Sequence, residues 1–150
     1  MSDGPSLLKV GHKFKGAMPN ILNTITNIGI KYNKRYDRNF DGCFRCIAIA
    51  LNGSKLIGYG VNKDKTHPFT KKLYHDNKYM TIHAEADLVM NLKKTEDINN
   101  VTDIIVIRGA KKLLNSHPCK ICSGLFKMYF KKVRIWWFDA NVNKWKVYMN

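Results

Sequence analysis

Two short runs hold residues whose types and spacing could do chemistry: His83-Ala84-Glu85 and Pro118-Cys119-Lys120-Ile121-Cys122. Cys119 and Cys122 are three positions apart, so at the start of a helix their sulfurs can converge on one ion. A helix N-terminus also lowers a thiol's pKa, which favours the thiolate that a metal requires. His83 would supply a third ligand as a neutral imidazole. Catalytic zinc sites use three protein ligands and leave the fourth position to water, whose pKa zinc brings toward ~7. Glu85 is then a carboxylate near the metal but not on it. Desolvation would keep its pKa near neutrality, fitting it to take a proton from water and pass it to a substrate nitrogen. The expected cofactor is therefore Zn2+ held by His83, Cys119 and Cys122, with Glu85 as the catalytic acid/base.

Elements must position those residues. His83–Lys94 reads as a helix with Ala84, Leu88 and Leu92 on one apolar stripe, and Cys119–Phe130 as a second helix bearing the cysteine pair. Pro118 suits the start of that helix because it lacks a donor the first turn does not need. Between the two, Asp103–Arg108 (Asp-Ile-Ile-Val-Ile-Arg) is a short buried strand. Upstream, Ile21, Leu22, Ile25, Ile28 and Tyr32 recur at helical spacing from Pro19 to Tyr32, and 33–41 reads as a charged turn. Cys43–Leu51 and Lys55–Val61 are strand-like runs around Asn52-Gly53, a strong hairpin signal. A long polar connection, Asn62–Met80, contains Lys65-Thr66-His67-Pro68, where Lys65 and His67 could contact a substrate phosphate or sugar. Val133–Phe138 and Lys144–Met149 are the last strands. Their link is too short for a parallel return, so they should form an antiparallel C-terminal hairpin. Residues 1–17 show no periodicity and read as a flexible N-terminal arm, leaving 18–150 as one domain.

The 150-residue chain carries 26 Lys+Arg against 11 Asp+Glu, a net charge of +15. That balance favours anionic partners: phosphorylated nucleotides, or nucleic acid along a basic face. From Lys111 onward nine Lys and Arg are set against Asp139 alone. No apolar run is long enough to span a bilayer and Met1–Pro19 is too polar for a signal peptide, so the expectation is a soluble, cytoplasmic protein without membrane association. Cys43 and Cys46 could complete a four-cysteine structural zinc site with Cys119 and Cys122, making this a non-catalytic binding module. The gap between the pairs is far longer than usual, and His83 and Glu85 would then have no role. Packing is the commoner use of cysteines on a strand. A second metal site drawing on Cys43, Cys46, His67 or His75 has little to motivate it. His117 reads as a loop residue and His12 has no assignable role. Trp136, Trp137, Phe138 and Trp145 could stack bases, but on adjacent strands aromatics more often make cross-strand packing.

His-x-Glu followed by Pro-Cys-x-x-Cys resembles the zinc-dependent cytidine deaminase superfamily. The resemblance runs from Arg45 to Phe138 and includes the hairpin, Gly58-Tyr59-Gly60-Val61-Asn62, both site-bearing helices and the strand between them. It implies a three-layer α-β-α, cytidine deaminase-like fold around a mixed five-stranded sheet. It also implies that Asn62 binds the sugar and that backbone groups around Ala84 hold the pyrimidine amide edge. The antiparallel C-terminal hairpin is similar to the branch containing cytidine and blasticidin deaminases, whereas in deoxycytidylate, tRNA-adenosine and antiviral polynucleotide deaminases the last two strands are typically parallel; some polynucleotide and RNA-editing deaminases share the hairpin. The Lys65–Pro68 stretch instead looks like small viral deoxycytidylate deaminase-like proteins. The resulting expectation is hydrolysis of cytosine to uracil in a nucleoside or nucleotide, by an enzyme that, like much of the family, is a homo-oligomer. Polynucleotide cytosine and tRNA adenosine are the alternative substrates.

Overall fold

The computed structural model describes residues 8–36, 45–62 and 83–150. Its first helix, α1 (Met18–Tyr36), is followed by strands β1 (Cys46–Asn52) and β2 (Lys55–Val61). Helix α2 (Ala84–Leu92), a 3-10 turn at Glu96–Asn100 and β3 (Asp103–Arg108) come next, then α3 (Lys120–Tyr129), β4 (Arg134–Asp139) and β5 (Lys144–Met149). The strands form one sheet in the order β2-β1-β3-β4-β5. β1 is antiparallel to both neighbours, β3 and β4 are parallel across α3, and β5 returns antiparallel to β4. Among the described residues no helix is long and apolar enough to cross a membrane.

Period-2 alternation splits the strands between two cores. Ile47, Ile49, Leu51, Ile105 and Ile107 face one side with Ile21, Leu22 and Ile25 of α1. Ala48, Ala50, Ile104, Val106 and Ile135 face the other, with Leu88, Val89 and Leu92 of α2 and Leu125 and Phe126 of α3. The result is a mixed five-stranded sheet with helices on both faces, the three-layer architecture expected. The β1–β2 turn is tight, pairing Asn52 with Lys55, and Gly53 takes it at φ 63, a conformation that suits glycine. The aromatics of the C-terminal hairpin pack as cross-strand partners: Phe138 meets Trp145 edge-on at 5.7 Å.

Three details differ from the sequence reading. α1 runs on to Tyr36 instead of turning at residue 33, with Lys34 and Arg35 in its last turn, where cations suit the helix dipole. The expectation of a loose arm over 1–17 does not match its described part: Leu8 and Phe14 are buried, and residues 11–14 are bonded to the β1–β2 hairpin. Gly11 and Phe14 donate to the carbonyls of Leu56 and Ser54, and Leu56 donates to that of His12. An irregular segment can satisfy its backbone by annexing a strand edge without any hydrophobic period of its own. The short helix Glu96–Asn100, capped by Thr95 accepting from the Asp97 N–H, also had no sequence counterpart.

Candidate active site

β1 begins where β2 and β3 end, so Cys46, Asn62 and Arg108 come together at one edge of the sheet. The N-termini of α2 and α3 open toward the same edge. A cavity of about 170 Å³ lies there, with His83, Ala84, Glu85 and Cys119 in its wall beside Cys46 and Asn62.

Local structure explains why the ligand-type side chains converge. His83 is the N-cap of α2 but makes no side-chain cap bond, which leaves its imidazole to the sulfurs. Cys119 is the N-cap of α3, and its Sγ accepts from the Cys122 backbone N–H at 3.4 Å. Pro118 stands just outside the helix. His83 Nδ1 is 3.7 Å from Cys119 Sγ and 3.5 Å from Cys122 Sγ, and the three ligand atoms all lie within 4.8 Å of one another. A tetrahedral zinc with ordinary Zn–N and Zn–S bonds would space its nitrogen and sulfur ligands about 3.6 Å apart. The donor set therefore fits zinc in both type and spacing. Hydrogen bonding from Cys122 above all, and from His83, draws the Cys119 thiol down to about 4 against the opposing effect of burial, so the ligand form is favoured. The bond to Cys119 in turn holds the His83 pKa above its usual value.

Glu85 sits in the first turn of α2, 7% exposed, and burial pushes its carboxyl above the ordinary glutamate range. Asp87 anchors the same helix by accepting from the Val61 N–H at 3.0 Å, and Asn91 donates to the Tyr59 carbonyl at 3.0 Å. Asn62 is buried at the end of β2. Its Oδ1 accepts from the Cys46 N–H at 2.9 Å, and its own N–H donates to the Cys46 carbonyl, fixing it in the cavity wall.

The sequence-derived residues His83, Glu85, Cys119, Cys122, Asn62 and Ala84 are thus gathered at one site. Lys65, His67, His75 and Cys43 lie outside the described residues. Cys46 is not part of the His-Cys-Cys cluster; it lines the cavity, where burial and the neighbouring Glu85 charge raise its thiol pKa. Arg108, Asn115, Ser116 and His117 are cavity residues that motif reading missed. His117 is more than a loop residue: its ring stacks on Tyr148 at 5.5 Å, meets Trp137 edge-on at 4.6 Å and helps line the cavity. The signal for Arg108 was available, since it is the one charge ending a strand that is apolar from Ile104 to Ile107.

No family model and no curated protein matches the sequence. Solved structures do match. A cytidine deaminase from Mycobacterium leprae superposes with a TM-score of 0.54 at 15% identity, covering 89% of this chain and 94% of that one. A cytidine deaminase from Mycobacterium tuberculosis gives 0.52 at 17%, covering 79% and 85%. One from Burkholderia pseudomallei gives 0.52 at 12%, covering 80% and 89%. The fold is that of the cytidine deaminases. At these identities the likeness is one of architecture, and the chemistry has to be argued from the site.

Proposed function

We propose that the protein is a zinc-dependent hydrolase that converts the cytosine of a nucleoside or nucleotide to uracil and ammonia. One observation carries this reading: a His-Cys-Cys cluster of zinc spacing lies beside a buried glutamate in a small cavity of a cytidine deaminase-like fold.

Zinc, when bound by His83, Cys119 and Cys122, supplies a Lewis acid and lowers the pKa of the attacking water. The protein's own groups do the rest. Glu85 would take one proton from the attacking water and deliver it to N3 of the ring, then take the second proton from the new C4 hydroxyl and deliver it to the departing amine, so that ammonia leaves and C4 keeps the oxygen as a carbonyl. Its buried position, which raises its pKa, suits a group that must both accept and return protons near neutral pH. Backbone groups at Ala84 are assigned to the amide edge of the pyrimidine. Asn62, fixed by Cys46, is assigned to the sugar.

A small substrate is favoured by the antiparallel β4–β5 hairpin, which resembles the nucleoside branch. The competing substrate is a polynucleotide, and the observation in its favour is charge: Lys120, Lys127, Lys131, Lys132 and Arg134 are all exposed. The deciding experiment measures uracil formation by zinc-loaded protein from deoxycytidine, its monophosphate and a cytosine-containing single-stranded oligonucleotide. Conversion of a monomer is expected, with a loss of roughly 10²–10⁴-fold in Glu85→Gln. Zinc-loaded protein that converts none of the three would leave a metal-binding module as the better reading.

A further inference from the structure

β3 ends on Arg108 after four apolar residues, and the pleat decides where that side chain goes. Ile104 and Val106 belong to the core under α2 and α3, whereas Ile105 and Ile107 belong to the core under α1. Arg108 therefore projects to the side of the two site-bearing helices. It lines the cavity there, next to its ladder partner Cys46. The strand end is held firmly. Arg108 O accepts from the Leu114 N–H at 2.9 Å, Gly109 N–H donates to Arg45 O at 2.9 Å, and Asn33 Nδ2 donates to Gly109 O at 3.0 Å.

The geometry points to Arg108 as the residue that makes this site prefer a cytosine nucleotide over the nucleoside, by binding the 5′-phosphate at the cavity mouth. This rests on the deaminase reading and gives it a substrate class. A cavity of about 170 Å³ is small beside the ~300–1,000 Å³ of sites that enclose whole drug-sized ligands. It takes in the base with the sugar against Asn62 in its wall and leaves the phosphate toward its opening. Among the described lining residues Glu85 is the only carboxylate, while Asn115 and His117 add exposed polar groups to the same lining. A guanidinium fork matches phosphate oxygens in pairs, which an ammonium cannot do.

The competing role is internal: Arg108 could simply offset the negative charge of Glu85 and the thiolates. Its charge does reach Cys46, His83 and Glu85. Yet Arg108 is exposed. Solvent screens an exposed charge acting on buried groups, whereas a phosphate arriving from solvent needs an exposed partner.

The test compares kcat/KM for dCMP and deoxycytidine in zinc-loaded wild type, Arg108→Gln and Arg108→Lys. The dCMP-to-deoxycytidine ratio should fall at least ~30-fold in Arg108→Gln and recover in part with lysine. An equal loss on both substrates overturns the phosphate assignment and leaves Arg108 acting on the site's own charges. Wild type that converts a cytosine-containing oligonucleotide but not dCMP overturns the choice of a monomer. Should none be converted, the deaminase reading fails separately. Calorimetric binding of dCMP and deoxycytidine to wild type and Arg108→Gln then still decides the phosphate contact: selective weakening of dCMP supports it, and equal or absent binding of the two overturns it.

Discussion

The two faces of β1 are built from residues of different size. Toward α1, β1 and β3 present Ile47, Ile49, Leu51, Ile105 and Ile107. Toward α2, β1 and β2 offer Ala48, Ala50, Gly58 and Gly60. A Cβ on Gly60 would collide with the Leu88 nitrogen and the Ala84 carbonyl, and one on Gly58 would crowd Leu92. α2 therefore rests on the backbone of the sheet, while α1 is held off by a layer of large side chains. Interdigitated side chains bury apolar area and stabilise the fold, but they can repack. Backbone against backbone has no flexible side chain to absorb a misfit, so an added atom must displace the helix as a unit. The difference teaches that α1 is held by side-chain packing that can adjust, whereas α2 is fixed in position by backbone contact just where its N-terminus carries His83 and Glu85.

The largest expected effect on stability comes from the α1 face. Ile49 is fully buried, so Ile49→Ala should cost about 2–5 kcal/mol through lost burial and the cavity left behind. Denaturant unfolding would measure this, and zinc affinity by calorimetry should stay close to wild type. Gly60→Ala should do the reverse. Its stability cost, about 1–3 kcal/mol, comes from displacing α2 as a unit, because the clashing atoms are backbone and cannot rotate away. That shift moves His83 and Glu85 together, so zinc affinity and deamination should each fall roughly 10–100-fold. If Ile49→Ala weakens zinc as much as Gly60→Ala does, the two faces are not divided in this way.

Much of this was legible in the chain. His83-Ala84-Glu85 and Pro118–Cys122 announce themselves because metal chemistry tolerates few residue types and few spacings. β3 and β5 carry the limits read from sequence, Asp103–Arg108 and Lys144–Met149, since alternation and short apolar runs record the pleat directly. What stayed hidden was decided by tertiary partners. Leu8 and Phe14 are buried in the α1-side core where residues 11–14 bond to the edge of β2, which no local pattern encodes. Asp103 is wholly buried as the sequence places it, but its partners are tertiary: it accepts from Arg134 Nε at 2.8 Å and from the Trp136 indole at 2.9 Å. Cys46 and Arg108 become cavity residues only when the antiparallel ladder sets them opposite each other.

Asn33 crosses the division between the faces and gives its smallest test. It lies in the last turns of α1, fully buried, in a stretch the sequence alone reads as a turn. Its Nδ2 donates to Gly109 O at 3.0 Å and more weakly to Ile107 O at 3.4 Å, so the α1 layer holds the strand end that bears Arg108. Gly109 needs that support: its φ of 107 and the close Lys112 carbonyl confine the turn to glycine. Two effects compete in Asn33→Ala. Removing the donor strands the Gly109 carbonyl in the interior, at a cost of about 1–3 kcal/mol. Removing the amide also deletes its Oδ1, itself buried without a partner among the described residues, which returns part of that cost. The first effect should win by about 1 kcal/mol, because a real bond is lost and only an already unsatisfied atom is relieved. A melting shift of that size, with zinc affinity unchanged and the dCMP preference reduced, would place Asn33 as a positioning residue for Arg108. A melting shift with the preference intact would confine it to the α1 layer and restore the division without exception.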